Sequence, residues 1–168
     1  MPKKELEEVT EEAIKRGGIL ARLYFDMHSE KQEDLQPLMA DLINNKLLKS
    51  AGVIYCYGTI DEPIKVDNLY STNAVVTTLF KDLAALIGAA FNFVPAGVEI
   101  IKPEKELVIK SSELQSIILD ITQISISYMQ YILSRSLTKE DLEKVQADLK
   151  AREELGKKLL SGKSDKPA

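Results

Sequence analysis

The sequence predicts an α+β fold on the ferredoxin-like, or split βαβ, plan. Three observations carry that expectation. Apolar residues alternate with a period of two in some segments and recur at helical spacing in others, in the order β–α–β–β–α–β between Ile19 and Ile101. Turn-forming residues, Gly17-Gly18, Asp61-Glu62-Pro63, Asp67-Asn68 and Pro95-Ala96-Gly97, separate the segments. The size fits one core. At 18.7 kDa the chain would bury about 70% of its unfolded surface.

The elements follow in order. Leu6, Val9, Ala13 and Ile14 form a helical stripe on an otherwise charged segment, Lys3 to Arg16. Gly17-Gly18 stops it, because glycine accepts a left-handed conformation. From Ile19 to His28 the period becomes two. Ala21, Leu23, Phe25 and Met27 alternate with Arg22, Tyr24, Asp26 and His28, giving a strand with one apolar and one polar face. Helical spacing returns from Glu33 to Ser50, with Pro37 expected in the first turn.

A second strand runs from Val53 to Ile60. Ile54, Cys56 and Ile60 are expected on one face and Val53, Tyr55, Tyr57 and Thr59 on the other. Asp61-Glu62-Pro63 breaks it, and a third strand rich in Thr, Val and Tyr spans Leu69 to Phe80. Lys81 to Phe93 reads as a helix and Val98 to Ile101 as a fourth strand. Glu106 to Ile109 is extended.

Two helices follow. Ser112 with Gln115 fits a capping box and opens a long helix to about residue 135, apolar on more than one side. Thr138 with Asp141 fits a second box, with Leu137 and Leu142 at the staple positions. The expected organisation is one domain over 1–137, with its core at 19–101 and a covering helix at 112–135. A helical extension at 138–161 and a disordered tail at 162–168 complete it.

In this plan two right-handed crossovers place both inner helices on one face of a four-stranded antiparallel sheet, in the order 4-1-3-2. They would cover Leu23, Phe25, Ile54, Cys56, Val98 and Ile100. The other face would show Arg22, Tyr24, Asp26 and His28 centrally, Tyr55 and Tyr57 on one edge and Glu99 on the other. A face bearing several tyrosines calls for a cover, either the Ser112 helix or a second subunit.

Glu62-Pro63, then Leu69-Tyr70-Ser71-Thr72, then Val94 to Pro103 resemble a family of small, uncharacterised archaeal proteins. The resemblance spans roughly Leu20 to Leu133. It implies a source and transfers no catalytic residue, because the family has no assigned reaction.

Composition narrows the function classes. The 22 Lys and Arg against 26 Asp and Glu give a net charge of −4, which argues against a nucleic-acid partner. The apolar run from Leu83 to Val98 contains Asn92 and Pro95 and falls short of the ~20 residues of a membrane span. The N-terminus lacks a signal-peptide pattern, and the single Cys56 cannot form an internal disulfide. A cytoplasmic location is the expectation.

Asp26 and His28 are the only candidates for acid–base chemistry, since they share a strand face. The strand spacing of ~7 Å lets them touch only through favourable rotamers, and no nucleophile is evident beside them. Cys56 reads as a core thiol, and one Cys with one His cannot form a structural zinc site, so no metal or cofactor is expected. Tyr24, Tyr55 and Tyr57 resemble stacking aromatics of an RNA-binding sheet, but Arg22 is the lone cation among them. The expected function is non-enzymatic. The module self-associates, with Arg22, Tyr24, His28, Tyr55, Tyr57 and Glu99 as its ligand-binding or interface residues. A small enzyme on the Tyr24, Asp26 and His28 face and a single-stranded RNA binder are the alternatives.

Overall fold

The computed structural model describes residues 3–136 and 139–160. Two compact units divide the chain, Met1–Val108 and Ile109–Ala168.

The first unit opens with α1 (Lys3–Lys15). Gly17 lies at φ +94°, Gly17 N–H donates to the Ile14 carbonyl at 3.0 Å, and Gly18 N–H donates to the Ala13 carbonyl at 2.8 Å. That pair of bonds closes a Schellman turn. Gly18 has no room for a side chain, since a Cβ there would stand 2.8 Å from the Ala13 oxygen and 2.9 Å from the Phe80 oxygen. The glycine pair therefore ends α1 and sends the chain directly into β1 (Ile19–Ser29).

β1 is central because its inward residues have the strongest claim on a core. Ile19, Ala21 and Leu23 are fully buried and Phe25 nearly so. α2 (Gln32–Asp41) follows and widens into a π-helical turn at Leu42–Leu47. Pro37 is the sixth residue of α2, beyond the first turn expected for it, so the helix does without the bond its missing N–H would make. β2 (Val53–Ile60) comes next, then β3 (Ile64–Val66) and β4 (Leu69–Phe80).

β3 adds a fifth strand to the expected four. Ile64-Lys65-Val66 pairs with Leu69 to Ser71 of β4 across a two-residue turn, in which Asp67 takes φ +53°. Asp tolerates that conformation better than most residues, which is what lets so short a hairpin close. α3 (Leu83–Phe93) is capped by Asp82, whose Oδ1 accepts from the Ala85 N–H at 2.8 Å. It ends at Val94, left-handed at φ 45°, and β5 (Gly97–Lys102) closes the unit. Residues 103–110 join no ladder, so the extended segment expected at Glu106 to Ile109 forms no strand.

The sheet is antiparallel, with order β2-β4-β1-β5 and β3 beside β4. On one face Ile19, Leu23, Phe25, Val76 and Phe80 join Met39, Ile43, Leu47, Leu86 and Ala89 in one apolar cluster. Complete burial of a residue such as Leu23 stabilises by about 1.5–3 kcal/mol, so this cluster is the main energetic asset of the unit.

Two expectations about this face fail. A bulge between Val53 and Tyr55 shifts the phase of β2 by one residue. Val53 therefore packs against the core and Ile54 is exposed, the reverse of simple alternation. α3 packs against β1, β4 and the π-helical turn, leaving Val98 and Ile100 at the β5 edge 46% and 50% exposed.

The second unit contains α4 (Ser111–Ser136) and α5 (Lys139–Leu160), which pack on each other. The Thr138 cap with its Leu137 and Leu142 staple, and the tail 162–168, lie outside the described residues.

Candidate functional site: the tyrosine-bearing sheet face

The register of the ladders assembles the second sheet face. Arg22 lies opposite Glu99, Tyr24 opposite Gly97, and His28 opposite Ser71. Residues directly opposite share a face, so Arg22, Tyr24, Asp26, His28, Tyr55, Tyr57 and Glu99 all lie on this side, as expected.

Its first cluster is built on Glu99. One carboxylate oxygen, Oε2, accepts from Arg22 Nη1 at 2.8 Å and from the Tyr24 hydroxyl at 2.9 Å. A Cβ at Gly97 would stand 3.3 Å from the Tyr24 ring that crosses it, a tight contact that the ring would relieve by moving a few tenths of an ångström. The Tyr24 hydroxyl and then the Glu99 carboxylate hold the Arg22 guanidinium above its ordinary pKa. Arg22 is thus fixed by its own face.

The second cluster is the Asp26–His28 pair. Asp26 Oδ2 lies 3.2 Å from His28 Nε2, so the two side chains do adopt the rotamers that contact requires. Both are about half exposed. Ser71 stands across the ladder from His28, but no hydrogen bond joins them among the described residues. Cys56 lies on the opposite sheet face, because it pairs in register with the buried Thr78. Burial pushes its thiol pKa up, which disfavours the thiolate that nucleophilic chemistry needs. No group of three metal-ligating side chains occurs among the described residues.

The third cluster is aromatic. Tyr55 and Tyr57 stack with ring centroids 6.0 Å apart and planes at 24°. Tyr57 is 55% exposed, while Tyr55 is half-buried. The reason is α1. Thr10 Oγ1 lies 2.7 Å from the Tyr55 hydroxyl and 2.5 Å from the Leu6 carbonyl. Thr10 has one hydroxyl proton, which goes to Leu6, so Tyr55 donates to Thr10.

α1 therefore stands over one end of this face, a third occupant beside the two covers weighed from the sequence. Leu20 and Leu79, both on this face, are buried. A hollow of about 300 Å³ remains, lined by Leu6, Thr10, Leu20, Tyr55, Tyr57 and Lys102 with Glu7 and Glu11. Thr10, Ser71 and Lys102 were not among the residues expected here. The available signal was the apolar stripe of α1, which required an apolar surface to rest on.

The profile of the MJ0538 family, named after an archaeal protein, matches residues 20–155. The match runs past Leu133 and into α5. No curated protein and no solved structure matches the chain significantly. Among the described residues no helix is long and apolar enough to cross a membrane.

Proposed function

We propose, for a chain that belongs to the MJ0538 family, a non-enzymatic, self-associating module that uses the tyrosine-bearing face for recognition. One observation carries this reading. The polar groups of the face are spent on one another, Arg22 and Tyr24 on Glu99 and His28 on Asp26, while Tyr24 and Tyr57 stay exposed. A reaction centre needs polar groups poised for a substrate, whereas a docking surface needs apolar area and satisfied charges. We read the unit Ile19–Lys102 as ferredoxin-like. The order β5-β1-β4-β2 and the two inner helices packed against one apolar cluster support that topology.

Tyr57→Asp tests the role of the face. It places a charge at an exposed position and leaves the core intact. If the face joins subunits, sedimentation velocity will show the oligomer dissociating. If association is unchanged, the face is assigned to a ligand or another protein.

The alternatives are separable. An enzyme on the Tyr24, Asp26 and His28 face predicts hydrolytic or isomerase turnover that His28→Ala abolishes. Single-stranded RNA binding predicts retarded mobility at low salt, where phosphate contacts are strongest. Unchanged mobility opposes it, and the net charge of −4 favours that outcome.

A further inference from the structure

We propose that the hollow beneath α1 binds a small zwitterion with an apolar body, of the α-amino-acid kind. The inference rests on the reading of the tyrosine-bearing face as a recognition surface, but not on self-association, because every lining residue belongs to one chain.

The sheet register builds the floor. Tyr55 stands opposite Leu79, Leu79 opposite Leu20, and Leu20 opposite Lys102, so one row crosses β2, β4, β1 and β5. Residues directly opposite share a face. Lys102 reaches this face only through a bulge. Strict alternation from Val98 and Ile100 would turn it toward the apolar cluster. Instead Ala21 pairs with Ile100 and Leu20 with Lys102, which leaves Ile101 as the extra residue. Such a bulge re-aims a side chain, and here it brings an ammonium group to the hollow.

The polar groups around the hollow are unspent, unlike those elsewhere on the face. Arg22, Tyr24 and Glu99 satisfy one another, and Asp26 contacts His28. Lys102 is half-buried, yet among the described residues it forms no ion pair, and neither Glu7 nor Glu11 forms one. The Tyr57 hydroxyl has no hydrogen bond among them either. Glu7 and Glu11 stand four residues apart on α1, which makes them neighbours on one side of that helix. One cation and two anions therefore line the same cavity without neutralising each other.

That arrangement selects the ligand. An ammonium group answers Glu7 and Glu11, and a carboxylate answers Lys102 and the Tyr57 hydroxyl. An apolar body then rests on Leu20 and against the stacked rings of Tyr55 and Tyr57. The volume of about 300 Å³ is at the lower end for small-molecule sites, which suits a ligand of amino-acid size. Two carboxylates against one ammonium repel a phosphate ester, so a nucleotide is disfavoured. A bare metal ion would find no third ligating side chain among the described residues.

Titration calorimetry of the full chain at low salt uses three probes with one body. They are L-phenylalanine, phenethylamine, which lacks the carboxylate, and 3-phenylpropanoate, which lacks the ammonium. L-Phenylalanine is expected to bind once per chain, and each truncated probe about tenfold more weakly, the loss of one charge-assisted bond. Relative to the wild type, Lys102→Gln should weaken L-phenylalanine about tenfold and leave phenethylamine unchanged. Glu7→Gln combined with Glu11→Gln should weaken L-phenylalanine and phenethylamine and leave 3-phenylpropanoate unchanged. A merely structural role would not produce that exchange, and the probe each variant still binds shows its fold intact. Phenethylamine that binds as tightly as L-phenylalanine, or variants that weaken all three probes alike, overturn the zwitterion. No L-phenylalanine binding in a chain whose oligomer dissociates on Tyr57→Asp overturns the ligand and leaves the recognition surface standing. No binding in a chain whose association is indifferent to Tyr57→Asp overturns both.

Discussion

The hydrogen bond from Tyr55 to Thr10 ties α1 to the sheet, and removing it has a calculable cost. Thr10 is 6% exposed, so its hydroxyl has little access to water. Tyr55→Phe deletes the donor at 2.7 Å and leaves Thr10 still donating to Leu6. A neutral hydrogen bond contributes about 1 kcal/mol net. That is about a fivefold increase in the opening constant of α1. Thr10→Val removes the same bond from the other side, and half-buried Tyr55 can then turn to water. In a double-mutant cycle the two changes therefore should not add, and their coupling should be about 1 kcal/mol. The assay is native-state hydrogen exchange of the α1 amides, compared across the four proteins. Zero coupling, or α1 amides that exchange freely in the wild type, would refute the placement of α1 on the tyrosine face.

Three further outcomes are expected. Val94→Gly should stabilise the fold by about 0.5–1 kcal/mol in urea denaturation, because a β-branched residue at φ 45° is strained and Val94 is 72% exposed; a loss of stability would contradict that strain. Thr78→Val should be neutral or raise stability by up to about 1 kcal/mol, since Thr78 Oγ1 is buried without a partner; a clear loss would mean the hydroxyl is bonded. Cys56 has a folded pKa raised above its ordinary 9.0, so the folded state holds the thiol proton longer than the unfolded state does. Its contribution to stability is undiminished below pH 9.0 and declines as pH rises above that value. Iodoacetamide at pH 7.5 should accordingly react more slowly with the folded chain than with the chain in urea, and equal rates would contradict the burial.

Much of the first unit was legible because local chemistry and tertiary role agree there. β1 alternates strictly, and Ala21, Leu23 and Phe25 are inside as that alternation demands. Gly17-Gly18 has both a conformational and a steric reason to end α1. What was not legible depends on ladders between distant segments. The bulge at Val53 to Tyr55 is visible only once β2 meets β4, and it exchanges Val53 and Ile54 between faces. β3 is three residues long, too short for its alternation to stand out from the turn residues around it.

The candidate site divides in the same way. Strand alternation put Arg22, Tyr24, Asp26 and His28 on one face, but only the β1–β5 register sets Arg22 opposite Glu99. Ser71 escaped notice because its neighbour His28 lies 43 positions earlier in the chain and is reached only through the β1–β4 ladder. Thr10 escaped because its role depends on how a separate helix crosses the sheet.

The account stands or falls on self-association. Light scattering of the wild-type chain at tens of micromolar measures it most directly. The expected result is a species of at least twice the 18.7 kDa chain mass. A monodisperse monomer at that concentration would contradict it.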